Sequence, residues 1–228
     1  MREPLTIAVA QPPCAAFDVA ANARAHAAAV RAAQADVVVF PELSLTGYEM
    51  SAPVVTPAAL DPIVEACAAT GSLALAGAPV DGPCIGVLAI DATGVRVAYR
   101  KVHLGGAEPQ SFVPGPAPAV VEVRGWRLGL AVCKDTGVPA HSAATAALGI
   151  DAYVAGLVDH PFESVIQEQR ATRIATGHGV FVAFASFAGP NGAPYAETAG
   201  RSGIWSPAGT VLGRAGCDPG EIARATLA

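Results

Sequence analysis

The sequence predicts a layered α/β fold with strands of mixed direction, and three observations lead to it. Short β-branched and apolar runs alternate with helical segments. Tight turns join neighbouring strands in the middle of the chain. Hydrophobic residues make up 52% of the 228 residues and charged residues only 14%, a proportion that suits one thick, well-filled core and argues against disorder. Helices placed early and between strands, with hairpins in the middle, call for layers rather than a single open sheet.

The elements follow in order. Residues 5–10 form an apolar strand, stopped by Gln11, Pro12 and Pro13. Asp18 is placed to cap a helix running to about Ala35, with Arg24 and Arg31 on its wet face. Residues 36–40 are a β-branched run, hence a buried strand, and Pro41 ends it. A second helix spans 57–70 and stops at Gly71. Strands follow at 73–79, 84–91 and 95–102, the last two joined by the hairpin turn Asp91-Ala92-Thr93-Gly94. A Gly- and Pro-rich loop occupies 105–118. Residues 119–123 and 126–132 make another hairpin. A helix at 138–148, a strand at 152–157, a helix at 163–176 and a strand at 180–187 come next. On the last helix, Ile166 and Ile174 are expected to face inward, with Arg173 beside them. The tail, 203–227, reads as short strands around a Pro207-Ala208-Gly209 turn. No linker, repeat or charge block divides the chain, so residues 1–228 are read as a single domain.

Composition also excludes function classes. A formal net charge of −5, with no run of Lys or Arg, leaves no electrostatic footprint for nucleic acid or for an anionic membrane. The longest apolar runs are about ten residues, half of the roughly 20 that a spanning helix needs. The apolar N-terminal stretch is short for a signal peptide, and Glu3 spoils a basic leader. The expected location is therefore cytoplasmic by default. The five cysteines, Cys14, Cys67, Cys84, Cys133 and Cys217, are odd in number and widely spaced without a CxxC. They give neither a disulfide framework nor a zinc site, and no metal or organic cofactor is expected.

Three polar residues stand at the ends of apolar strands, where α/β folds place ligand sites. Glu42 lies in Phe-Pro-Glu-Leu-Ser-Leu-Thr-Gly-Tyr at 40–48, Lys101 in Tyr-Arg-Lys-Val-His-Leu at 99–104, and Cys133 in Gly-Leu-Ala-Val-Cys-Lys-Asp at 129–135. Taken singly, each has an ordinary reading: a solvated loop carboxylate, a surface charge, an inert core thiol. Lys101 stands out, because the chain has twelve arginines and only two lysines, Lys101 and Lys134. A lysine that escapes this bias suggests a need for a compact ammonium.

Together these residues, in this order, resemble the nitrilase superfamily of carbon–nitrogen hydrolases. The resembling pieces are Val-Phe-Pro-Glu-Leu at 39–43, Arg-Lys-Val-His-Leu at 100–104 and Leu-Ala-Val-Cys-Lys-Asp at 130–135. Glu108, Phe112 and Pro114-Gly115 match a further stretch, and Gly200 to Ile204 and Pro207-Ala208-Gly209 match a late serine and turn. The resemblance covers nearly the whole chain. It implies a four-layer α-β-β-α sandwich with two mixed sheets and a Glu-Lys-Cys triad. In that triad Glu42 is the general base, Lys101 the oxyanion stabiliser and Cys133 the nucleophile. Glu108 resembles the second glutamate that positions lysine and substrate. Tyr48, Phe112 and Lys134 are the other candidate substrate-binding residues. His103 is expected on the face of Lys101, where a thiol–imidazole pair with Cys133 is conceivable, although the family's equivalent histidine looks structural. Arg173 resembles an inward arginine that holds a buried carboxylate. The resemblance also implies a homodimer or higher homo-oligomer stacked through a helical face.

The pattern breaks in places. After Cys133 the family's aromatic, Phe and Glu are replaced by Lys134, Thr136 to Val138 and Ala140, while Asp135 and Pro139 match. Thr176 and Gly177 stand where an acid and an Asn are usual, and Ser186 where an Asn is common. These changes touch the pocket rather than the triad, so they bear on substrate more than on mechanism. The leading expectation is hydrolysis of a small amide through a thioester (amidase, ω-amidase-like or N-carbamoyl amide hydrolase). An acyltransferase using the same site is the alternative, a nitrile hydrolase is less favoured, and a non-catalytic member is the least favoured reading. The triad predicts that Cys133→Ala or Lys101→Ala removes turnover without unfolding the chain.

Overall fold

The structure, a computed structural model, describes residues 2–192 and 194–228. Twelve strands form two six-stranded sheets among these residues. The first sheet contains β1 (Leu5–Ala10), β2 (Val37–Val39), β3 (Leu73–Val80), β4 (Cys84–Asp91), β5 (Gly94–Arg100) and β12 (Ile222–Leu227), in the order β12-β1-β2-β3-β4-β5. The second contains β6 (Ala119–Val123), β7 (Trp126–Val132), β8 (Ala152–Leu157), β9 (Phe181–Ser186), β10 (Gly203–Trp205) and β11 (Val211–Arg214), in the order β11-β10-β9-β8-β7-β6. Each sheet has three parallel central strands, β1-β2-β3 and β7-β8-β9, flanked by antiparallel neighbours.

Alternation along the strands builds three apolar layers. Leu5, Ile7 and Val9 of β1, with Val37 and Val39 of β2, point between the sheets, where Leu128, Leu130 and Val132 of β7 meet them. The opposite faces of β1 and β2 pack Ala8, Ala10 and Val38 against helices α1 (Val19–Ala33) and α2 (Asp61–Thr70). The outer face of the second sheet packs Tyr153, Ala155, Val182 and Phe184 against α4 (Ser164–His178), while α3 (Pro139–Ala146) follows the turn after β7. Strands covered on both faces carry apolar residues at nearly every position, which explains their near-continuous hydrophobic runs. The result is the four-layer α-β-β-α sandwich.

Helix ends follow local chemistry. The Asp18 carboxylate accepts from the Ala21 N–H and caps α1. Gly71 and Gly179, both in the left-handed region, end α2 and α4. The helix expected over 57–70 is a 3-10 turn at Pro57–Leu60 followed by α2, because Pro62 sits where a missing N–H is tolerated only at a helix start. Ile166 does not face inward. It is exposed, and the buried face of α4 is Gln167, Ala171, Ile174 and Ala175.

One irregularity carries functional weight. β5 gains a residue relative to β4, so that Val87 pairs with Tyr99 but Leu88 pairs with Val97. This bulge at Ala98 changes the face on which following side chains lie. Val95 packs on the helix side, whereas Tyr99 turns between the sheets and Lys101 enters the interior behind it.

Two glycines fix where β2 delivers its end. A Cβ on Gly77 of β3 would lie 2.3 Å from the Leu43 nitrogen, and one on Gly156 of β8 would lie 2.7 Å from the Phe40 carbonyl oxygen. Both sheets thus press on the 40–43 backbone where only hydrogen fits. Gly77→Ala or Gly156→Ala is expected to cost about 1–3 kcal/mol of stability through overpacking and to displace Glu42, read as a lower denaturant midpoint together with reduced activity.

Candidate active site

Glu42 follows β2 on a backbone held from both sides. Beyond the two glycines, Leu43 has a φ of 51°, a left-handed conformation that persists only where its surroundings impose it. The Ser44 hydroxyl donates to His26 Nε2 at 2.8 Å, because His26 Nδ1–H is committed to the Asn22 carbonyl of α1 at 2.7 Å. Burial lowers the His26 pKa to about 4, so the imidazole is a neutral anchor. Lys101 is pinned by its own backbone: its N–H donates to Ile85 and its carbonyl accepts from Gly115, both within 2.8 Å. Gly115 packs so closely that a Cβ there would lie 2.2 Å from the Arg100 oxygen.

Cys133 opens a 3-10 turn, Cys133–Gly137, directly after β7. Its φ is 37°, an uncommon conformation that costs roughly 1–3 kcal/mol and turns the thiol out of the strand. The fully buried Asp135 holds this turn. Its carboxylate accepts from the Val132 N–H at 3.0 Å, the Tyr99 hydroxyl at 2.8 Å, and the His103 N–H and Nδ1 at 2.8 and 3.0 Å. The nucleophile turn is thereby tied to the loop after Lys101. With the Tyr99 proton given to Asp135, His141 Nε2–H donates to Tyr99, and His141 Nδ1 accepts from Tyr153. His103 is part of this scaffold and bonds Asp135 rather than Cys133.

Lys101 and Cys133 line a cavity of about 210 Å³, and Glu42 reaches it only through Lys101. Lys101, buried to 1% exposure, donates at 2.6 Å to Glu42 Oε1 and at 2.7 Å to Glu108 Oε1. Glu108 also accepts from the Tyr48 hydroxyl at 2.7 Å and the Gly105 N–H at 2.8 Å. An ammonium has three donors. Two serve these carboxylates, and the third remains for the cavity that Lys101 lines. Cys133 lines the same cavity, partly exposed, with its thiol directed at the Val158 carbonyl 3.4 Å away. Glu42 stands behind Lys101, and its Oε2 has no hydrogen-bond partner among the described residues.

The electrostatics follow from burial and close charges. Desolvation pushes the Glu42 pKa up to about 8, against the Lys101 charge that lowers it. Burial disfavours the Lys101 cation, yet Glu42, Glu108 and, once ionised, Cys133 outweigh that and hold it above the ordinary lysine range. Burial, Glu42 and Asp159 hold the Cys133 thiol well above its usual pKa, with Lys101 opposing them. The resting site is therefore a thiol, an ammonium and a proton-retentive carboxyl group.

Most expected site residues line the cavity: Tyr48, Lys101, Glu108, Cys133 and Lys134 do so. Phe112 does not. It closes the 3-10 turn that carries Glu108 (Glu108–Gln110) by donating its N–H to the Glu108 carbonyl, and its ring is buried between the sheets. Arg173 holds no carboxylate among the described residues; its guanidinium donates to the Thr136 carbonyl at 2.6 Å. The arginine beside a buried acid is Arg170, one turn earlier, 3.7 Å from Asp159. Asp159, Glu163, Arg170 and Tyr195 also line the cavity, and sequence reasoning missed all four. Asp159 follows an apolar strand just as Cys133 does, and that position was the one available signal.

Comparison with known proteins bears on the family and the fold. The carbon–nitrogen hydrolase family model matches residues 6–228. A Pseudomonas protegens protein described as "Hydrolase in pqqF 5'region" is 31% identical over 96% of this chain and 81% of its own. A mutant of an amidase of the nitrilase superfamily from Nesterenkonia sp. AN1 superposes with a TM-score of 0.88 at 26% identity, covering 98% of this chain and 92% of that one. A second structure of the Nesterenkonia amidase, with the acetamide moiety of fluoroacetamide covalently added at its active-site cysteine, gives a TM-score of 0.87 at 25% identity, over 98% and 90% of the two chains. The chain belongs to the carbon–nitrogen hydrolase family.

Proposed function

We propose that this hydrolase cleaves a small primary amide through a thioester on Cys133. The observation that carries the reading is the Lys101 ammonium, bridging two buried carboxylates on one wall of a cavity that also exposes the Cys133 thiol. The Nesterenkonia amidase, whose active-site cysteine takes up an acetamide moiety, supports the same role for the thiol here.

The steps follow from what each group can exchange. A thiol must lose its proton to attack. The unpartnered Oε2 of Glu42 accepts that proton as sulfur bonds to the amide carbon. Negative charge then builds on the amide oxygen. The free N–H of Lys101 meets it, together with the backbone N–H of Lys134, an orphan donor in the first turn after Cys133. Glu42 returns the proton to nitrogen, the C–N bond breaks and ammonia leaves. Water then gives a proton to Glu42 and attacks the thioester. The acid departs and the thiol is restored. A carboxyl group titrating near 8 suits both directions of this transfer. Glu108 and Tyr48 hold the ammonium on line, and the small cavity limits the acyl group to a few heavy atoms.

Cys133→Ala is expected to abolish ammonia release, by about 10³-fold or more, with the unfolding midpoint unchanged. Lys101→Ala is expected to lose activity and also stability, by about 3–5 kcal/mol, because it leaves two buried carboxyl groups unpaired. The buried bridge thus revises the expectation that Lys101→Ala leaves the fold untouched. The two variants separate in a denaturant titration.

The base must be ionised to act, so kcat/KM is expected to rise with pH through about 8, and Glu42→Gln is expected to remove activity across the range. Stability has the opposite slope. The Glu42 pKa is raised on folding, so the folded state holds a proton that the unfolded state releases between the ordinary carboxylate value, 4.5, and about 8. Stability therefore falls as pH rises across that window, and Glu42→Gln flattens the fall. Thermal melts from pH 4 to 9 measure it.

A further inference from the structure

The catalytic steps leave Asp159, a buried carboxylate of the cavity, unused. Asp159 follows β8, is only 3% exposed and lines the cavity beside Cys133. Its side chain makes no hydrogen bond among the described residues. Oδ1 faces the Arg170 guanidinium at 3.7 Å, too long for a hydrogen bond, and Oδ2 has no partner. None of the other charged groups of the cavity hydrogen-bonds it among the described residues: Glu163 accepts from the His160 N–H, Lys101 gives two of its three N–H groups to Glu42 and Glu108, and Lys134 is exposed at the cavity rim. A buried carboxylate is costly unless it meets a donor, so a protein that retains one beside its nucleophile has a donor in view.

The neighbours indicate what kind of donor. Tyr195 lines the cavity with Asp159, stacked on His160 at 4.5 Å and edge-on to Tyr48 at 4.9 Å. A carboxylate beside aromatic faces is the chemistry that recognises an organic cation. Substrate orientation indicates where the cation lies. With the amide oxygen at Lys101 and the leaving nitrogen served by Glu42, both on the first-sheet side, the acyl chain points the other way, toward the end of β8. The size of the cavity keeps that chain short.

We propose that Asp159 is the specificity-determining residue of this cavity, and that the amide it accepts carries an ammonium one or two carbons from the carbonyl, as an amino-acid amide does. This rests on the hydrolase reading above for the orientation of the amide. Asp159 takes no part in the bond changes; it binds the acyl chain's cation through Oδ2.

The test compares alaninamide with propionamide, which lacks only the ammonium, and with succinamic acid, which carries a carboxylate instead. Binding is measured calorimetrically or by NMR on Cys133→Ala, so that it does not depend on turnover. Alaninamide is expected to bind at least about ten-fold more tightly than propionamide. Adding Asp159→Asn is expected to bring that ratio close to one, and Asp159→Glu to restore part of it. Equal binding of alaninamide and propionamide, tightest binding of succinamic acid through Lys134 and Arg170, or a ratio that survives Asp159→Asn would each overturn the proposal. Ammonia release by the wild type, run in parallel, tests the hydrolase reading separately. Discrimination in binding without ammonia release would sink that reading and leave the cation site standing, and release without discrimination would do the reverse.

Discussion

A buried ammonium between two carboxylates is the constraint around which this molecule is organised. Lys101 sits in the interior with Glu42 and Glu108 within 2.7 Å. None of the three can be left alone there, since removing one partner strands a charge in a medium that solvates it poorly. On the proposed mechanism the same arrangement supplies function. The carboxyl group is pushed toward neutrality, the cation is held charged, and one N–H is left over for a developing negative charge. Structure and reactivity here are two consequences of one desolvated cluster.

That cluster needs both sheets. Glu42 and Lys101 come from the ends of β2 and β5 in the first sheet, and Cys133 from the end of β7 in the second. The layer between them sets their separation. Gly77 and Gly156, one from each sheet, meet the 40–43 backbone from opposite sides. Asp135 fastens the nucleophile turn to the loop after Lys101 through both carboxylate oxygens. The site is thus a property of the sandwich interface, and small changes in sheet packing would be felt as changes in catalysis.

Much of this was legible in the sequence, because burial on two faces writes itself as uninterrupted apolar runs. The strands at 5–10, 84–91, 119–123, 126–132 and 152–157 have the expected bounds for that reason. The candidate residues Glu42, Lys101 and Cys133 stand out because each interrupts such a run at its end. What escaped notice depends on geometry that a run does not encode. The bulge at Ala98 turns Lys101 inward, yet its residues look like any strand. The left-handed Cys133 and Leu43 carry no glycine to announce them. Arg170 and Arg173 differ by one turn of α4, and resemblance joined to helical periodicity pointed to the wrong one, while periodicity also turned Ile166 inward. Phe112 was assigned to the pocket by position in a motif, whereas the turn at Glu108 folds its ring into the core.

The central claim is that the thiol of Cys133 forms a covalent acyl intermediate. Intact-protein and peptide mass spectrometry on the protein, acid-quenched during turnover of a small primary amide such as propionamide, tests it most directly. The account predicts a single added mass equal to the amide less ammonia, confined to the peptide containing Cys133, absent from the peptides containing Cys67 and Cys217 and from Cys133→Ala. Labelling spread across the cysteines, or none at Cys133, would contradict it.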